Sequence, residues 1–238
     1  MTTQVADASP RFLARMAGVF FLLTILAGIF AQGFVSERLI VFGDAAATAT
    51  NIRTHQSLFE FGFTVYLIEM ACQVAMTALF YELLKPVSKS VSLLAAFLSL
   101  TGCVIKTFAR VFYIAPLFVL GGQPALSAFS AEQLQALALV LLKVNDQGAG
   151  MALAFFGFST VLKGYLIFRS TFWPHWLGVL SLVAGLGWLT FLYPPLGYAA
   201  FPIVAAFGVL SSAVMIVWLL VFGVNEQKWK EQASATVK

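Results

Sequence analysis

What most constrains this chain is a repeated pattern: six times it runs through predominantly apolar stretches long enough to cross a bilayer. These are Ala14 to Phe34, Leu58 to Leu84, Val91 to Leu120, Gln147 to Phe168, Trp176 to Tyr193 and Ala199 to Phe222. About 20 residues at 1.5 Å rise cross a hydrocarbon core of roughly 30 Å. Backbone polar groups find no water there, so each run must satisfy its own N–H and C=O groups as a helix. The expected fold class is all-α, a polytopic membrane helix bundle with six transmembrane helices. Composition agrees, with 61% hydrophobic and 10% charged residues, against about 25% charged in an ordinary soluble domain.

The segments between the runs carry helix signals of their own. After Gly43, Asp44 is a natural N-cap for AAATATNI, which predicts a short interfacial helix on the outer side. SAEQ, Ser130 to Gln133, has a capping-box pattern, and LQALALVLLK continues it at helical spacing. That stretch is either a second interfacial helix or an outward extension of the fourth span. No internal repeat, low-complexity segment or linker is visible, so a single domain over residues 1–238 is expected. The opening MTTQVADASPRFLAR is polar for too long, and the next run too extended, for a cleaved signal; the first span is expected to be retained.

Cytoplasmic loops are enriched in Lys and Arg, which sets orientation. With the N-terminus inside, Arg11, Arg15, Lys85, Lys89, Arg169, Lys228, Lys230 and Lys238 are cytoplasmic, while only Arg38, Arg53 and Lys143 are outside. A multi-pass protein of the cell membrane with both termini cytoplasmic follows. The formal net charge of +4 is then a matter of topology; no Lys/Arg cluster dense enough for nucleic acid exists, so none is expected as a partner. Cys72 and Cys103 lie in apolar segments without CxxC or metal-ligand spacing and read as packing residues. With His55 and His175 the only histidines, a multi-histidine metal site is excluded, and neither metal nor cofactor is expected.

Charges inside the spans carry the functional information, because each costs roughly 2.5–3.5 kcal/mol on insertion scales. In the second span Tyr66, Glu69, Gln73 and Thr77 share one helical face; in the third Cys103, Lys106, Arg110 and Tyr113 do. At 1.5 Å per residue Glu69 lies roughly 17 Å below the outer end of its span, Lys106 about 18–21 Å and Arg110 about 12–15 Å. The short connection KPVSK makes these spans antiparallel neighbours, so the Glu69 carboxylate is expected between the two cations. One reading is an ion-pair cluster that fixes helix register. The other is a ligand site, because two cations against one carboxylate leave a positive charge for an anionic group such as carboxylate or phosphate. Burial of ions for stability alone is a poor bargain.

Around the expected outer mouth lie Asp44, Asn51, Glu60, Asn145, Asp146 and Gln147. Capping and interfacial solvation account for these more simply, with Asp146 an N-cap; Gly148 and Gly150 permit close helix approach or a break. Lys163, six residues before Arg169, is expected to snorkel to the cytoplasmic surface. Trp173, Trp176 and Trp218 suit interfacial belts, Tyr193 and Tyr198 flank a tight outer turn, and Gly178, Gly185 and Gly187 look like close-packing positions. No GxSxG, Walker loop, HExxH or paired-aspartate isoprenoid motif is present.

ERLIVFGDAAATATNI, Glu37 to Ile52, and FFGFSTVLKGYLIFRSTFWPHWLGVLSLVAGLGWL, Phe155 to Leu189, resemble a bacterial integral membrane family, domain of unknown function 4386. The likeness extends from about Arg15 to Leu220; Phe42 stands where the family pattern has proline. It implies a bacterial inner-membrane protein of several helices and transfers no activity and no catalytic residue.

Three functions remain open at this level. The first is a receptor- or transport-like protein that binds a small amphiphilic or anionic ligand, lipid or otherwise. Lys106 and Arg110 would hold the anion, Glu69 would balance charge, and Tyr66, Gln73 and Tyr113 would orient the ligand. The second is an intramembrane enzyme acting on a lipid or isoprenoid with Glu69 as general acid or base. The third is a non-catalytic membrane partner. Besides the lipid bilayer itself, a second copy of the chain stands open as a partner.

Overall fold

The computed structural model describes residues 9–236. The polar stretch from Met1 and the cytoplasmic assignment of Lys238 lie outside the described residues. Regular structure among those described is entirely helical. Helix α1 (Pro10–Gly28) passes into a π-helical segment (Ile29–Ser36) and α2 (Glu37–Leu39). There follow α3 (Ala45–Thr54), α4 (Gln56–Leu84), α5 (Lys89–Ile114), α6 (Pro116–Leu120), α7 (Ala131–Arg169), α8 (His175–Trp188), α9 (Pro194–Val221) and α10 (Glu226–Thr236). Six stretches are long and apolar enough to cross a membrane: Pro10–Leu39, Gln56–Leu84, Lys89–Leu120, Ala131–Arg169, His175–Leu192 and Pro194–Val221.

Local chemistry starts these helices where the sequence signals stand. Asp44, extended at φ −140°, accepts from the Ala47 N–H at 2.8 Å and so caps α3. Asp44→Ala is expected to cost about 0.5–2 kcal/mol and Asp44→Asn almost nothing, measured as shifted midpoints in thermal unfolding of detergent-solubilised protein. At Ser130 the capping box is reciprocal: its N–H donates to Gln133 Oε1 at 2.9 Å, and its Oγ accepts from the Gln133 N–H at 3.3 Å. That cap opens α7, whose 39 residues run unbroken for about 58 Å. The capping-box helix and the fourth span are thus one element. Asp146 lies well inside it and caps nothing, contrary to the sequence expectation.

Contacts group the chain into two compact units, Met1–Leu23 with Cys72–Cys103 and Met151–Lys238, and Thr24–Ala71 with Val104–Gly150. Every boundary falls within a helix. The single domain expected over residues 1–238 leaves this division out, since no linker marks it.

In the first unit Leu13, Phe80, Leu84, Leu166, Leu177 and Leu219 belong to one buried apolar core. Helices α7 and α8 meet there backbone to backbone. A Cβ on Gly178 would stand 2.5 Å from Phe168 N and 2.8 Å from Gly164 O; one on Gly185 would stand 2.7 Å from Val161 N and 3.0 Å from Gly157 O. Gly157 with Gly185 and Gly164 with Gly178 form two levels of an antiparallel contact, two turns apart. Gly187 meets Val204 of α9, where its Cβ would stand 3.2 Å from Cγ1. Trp173 is not a belt residue: it is buried, and its Nε1–H donates to Gly223 O at 2.8 Å. Trp176 is half exposed and meets Trp218 edge to face at 5.7 Å. Gly223, at φ +67°, closes α9 by donating its N–H to Trp218 O at 2.9 Å, a left-handed cap that glycine takes without strain. Trp229 of α10 donates to Leu83 O at 2.9 Å. Cys72 and Cys103 are buried and form no disulfide, as their apolar surroundings predict.

In the second unit Val35, Leu39, Ile52, Phe59, Tyr66, Tyr113 and Leu142 form the core. Helix α3 is tied to what precedes it: Thr48 Oγ1 accepts from Val41 N–H and donates to Val41 O, and Asn51 Nδ2 donates to Leu39 O at 3.3 Å. Arg53 donates to Leu120 O at 3.2 Å, at the end of α6.

Candidate functional site

The polar constellation lies wholly within the second unit. On α5, Val104, Phe108 and Val111 form an exposed apolar row, as a lipid-facing surface requires. Lys106, Arg110 and Tyr113, at i, i+4 and i+7, stand on the opposite side of the same helix. On α4, Tyr66 and Glu69 share a face one turn apart.

Lys106 Nζ donates to Glu69 Oε1 at 2.6 Å, and the two side chains are 15% and 7% exposed. The level match expected from helical rise is therefore observed. Glu69 fits beside the end of α1 because Gly28 has no side chain; a Cβ there would stand 3.2 Å from Glu69 Oε1. Its other oxygen, Oε2, is buried with no hydrogen-bond partner in the protein.

Glu69 does not sit between the two cations. Arg110, 1% exposed, does not pair with Glu69, whose ion pair is to Lys106. Its Nη1 donates to the neutral Asn145 Oδ1 of α7 at 2.9 Å, and its guanidinium carbon lies 3.5 Å from the centre of the Tyr66 ring, a close cation–π contact. Its Nε is buried and unpartnered. The positive charge left over by the ion pair is thus located at Arg110, held by an amide and a ring face. Asp146, beside Asn145, acts electrostatically on Tyr66, so a second carboxylate belongs to the surroundings of the site.

Tyr66 connects the parts. Its hydroxyl donates to Gln32 Oε1 at 2.7 Å and, its one proton so committed, accepts from Ser36 Oγ at 2.9 Å. Both partners stand on the π-helical segment, a rare i→i+5 geometry that recurs at functional sites. Tyr113 meets Tyr66 edge to face at 5.3 Å and stacks on Phe59 at 4.3 Å. Its hydroxyl is fully buried and unpartnered, and a Cβ on Gly62 would approach it to 3.0 Å.

Other expected site residues go elsewhere. Gln73 belongs to the first unit, where its Nε2 reaches Ser99 Oγ at 3.5 Å. Asp44 and Asn51 are spent on α3, Glu60 accepts from Gln56 Nε2 at 2.8 Å within α4, and Gln147 is exposed. Of the outer-mouth set, Asn145 bonds a residue of the constellation, and Asp146 acts on Tyr66. Gln32 and Ser36 were missed; a glutamine inside the first apolar run was the available signal.

Six helices long and apolar enough to cross a membrane, with ionised residues turned inward between them, mark a multi-pass membrane protein. The family model described as Domain of unknown function (DUF4386) matches residues 16–223, and the chain belongs to that family. An "Uncharacterized protein" of Archaeoglobus fulgidus is 23% identical over 167 residues, covering 68% of this chain and 80% of that protein. No solved structure matches.

Proposed function

We propose that this membrane protein binds a small amphiphilic or anionic molecule through the Arg110 site, as a receptor- or transport-like component of the cell membrane. Arg110 carries the reading: a fully buried guanidinium whose Nε has no hydrogen-bond partner in the protein and whose Nη1 bonds a neutral amide. A buried ion costs several kcal/mol, which an amide and a ring face offset only in part. A carboxylate or phosphate oxygen of a ligand would complete it. The Tyr113 hydroxyl and Glu69 Oε2 offer a further donor and an acceptor, and Tyr66 touches Arg110 and Tyr113 and stands one turn from Glu69. Placement of both termini in the cytoplasm is supported by the division of charge: Arg11, Arg15, Lys85, Lys89, Arg169, Lys228 and Lys230 fall in the first unit, and Arg38, Arg53 and Lys143 in the second.

The test is thermal unfolding of purified protein with a fatty-acid carboxylate and a lysophosphatidate as probes, with co-extracted lipids measured by mass spectrometry. A probe at 100 times its Kd is expected to stabilise by about 2.7 kcal/mol, an increase of roughly 5–11 °C in Tm. Arg110→Met/Asn145→Leu is expected to lose that response. Equal probe response and equal lipid content in parent and variant would overturn the reading.

A further inference from the structure

Lys163 of α7 does not behave as a snorkelling surface lysine. Its ammonium stands 5.4 Å from the centre of the Phe80 ring, and Cys103 is its one neighbour with an electrostatic influence on it. With Thr77, Tyr81, Ser92 and Ser159, all of the same unit, it lines a cavity whose room for a water-sized sphere is about 10 Å³. Roughly 10–15 Å³ on that measure admits one water.

The serine and threonine protons around this cavity are committed. Ser159 Oγ donates to Ala95 O at 2.7 Å, Ser92 Oγ to Tyr81 O at 3.1 Å, and Thr77 Oγ1 to Gln73 O at 2.8 Å. Ser99 Oγ, 2.8 Å from Thr77 Oγ1, must then be the donor in that pair. These three lining hydroxyls turn only lone pairs toward a guest, while Lys163 offers only donors. An anion could accept from the lysine but would face three hydroxyl oxygens that give it nothing, in a space of one water. A cation is repelled by the ammonium. Water fits the space, accepts from Lys163 and donates to the hydroxyl oxygens.

We propose that this cavity is a single-water hydration site that keeps the Lys163 ammonium partnered inside the membrane-spanning part of the first unit. The site is independent of Arg110 and its ligand. Ala96 also lines the cavity, so Ala96→Val fills the space. In the parent this is expected to lower Tm by about 4–8 °C, because a buried donor loses its partner. In a Lys163→Met background the same substitution is expected to leave Tm unchanged or raise it. Equal losses in both backgrounds would overturn the proposal, as would a Tm that falls when chloride is exchanged for gluconate. Should Lys163→Met fail to fold, Lys163→Gln serves as the background. Independently, a high-resolution density map is expected to show one peak within hydrogen-bond distance of Lys163 Nζ and a Ser or Thr oxygen; a map clear enough to show buried waters elsewhere but no such peak would also overturn it.

Discussion

Lys106→Met is expected to destabilise the protein by about 3–5 kcal/mol, the loss that follows when one member of a buried ion pair is removed and the other left charged. The orphaned group is Glu69, whose side chain is only 7% exposed and whose Oε2 already lacks a partner. Glu69→Gln/Lys106→Met should recover most of the loss, since a neutral amide is cheaper to bury than a carboxylate. Thermal unfolding of the two single variants and the double variant gives the coupling directly. Additive losses would show that Glu69 and Lys106 do not act as a pair in solution. The contrast with Arg110 is informative. That guanidinium bonds a neutral amide, so replacing both by apolar residues in Arg110→Met/Asn145→Leu should be neutral or stabilising in the absence of ligand. The Glu69–Lys106 pair and the amide-bound Arg110 are different devices on one helix face. Register accounts for the first; the proposed ligand would account for the second.

How far this was legible in sequence depends on which physical rule governs each residue. The spans were legible because lipid imposes helix on any sufficiently long apolar run. The inward row of Lys106, Arg110 and Tyr113 followed from the 3.6-residue period, and the match of Glu69 to Lys106 from the rise per residue. Partner choice did not follow. Asn145 rather than Glu69 takes Arg110 because α7 runs unbroken past VNDQGAG, which reads locally as a start signal and a break. Gly148 is there for contact instead, since a Cβ would stand 2.7 Å from that of Ala109. Gln32 and Ser36 escaped because they stand on a π-helix, whose wider turn shifts residues off the 3.6-residue phase. Trp173 and Lys163 were both read by residue type, as belt and snorkel. Each is instead turned to an internal partner: a carbonyl for Trp173, a ring and a polar cavity for Lys163.

Gly178→Ala is expected to cost about 3 kcal/mol or more, at the upper end for overpacking, although it adds one methyl group. The severity comes from what the methyl meets: Phe168 N at 2.5 Å and Gly164 O at 2.8 Å, both backbone. A side chain can escape such contact by changing rotamer; a helix backbone cannot, so α7 and α8 must move apart. Gly33→Ala is the control. Its Cβ would meet nothing within 4 Å, and replacing a helical glycine gains about 0.5–1 kcal/mol. Opposite signs for the same chemical change would separate packing from propensity. Because Gly178 and Gly185 serve two levels of one contact, separation forced at one level relieves the other. Gly178→Ala/Gly185→Ala should therefore cost clearly less than the sum of its single variants. Full additivity in thermal unfolding would mean that the two levels yield independently, by local bending rather than by separation of the helices.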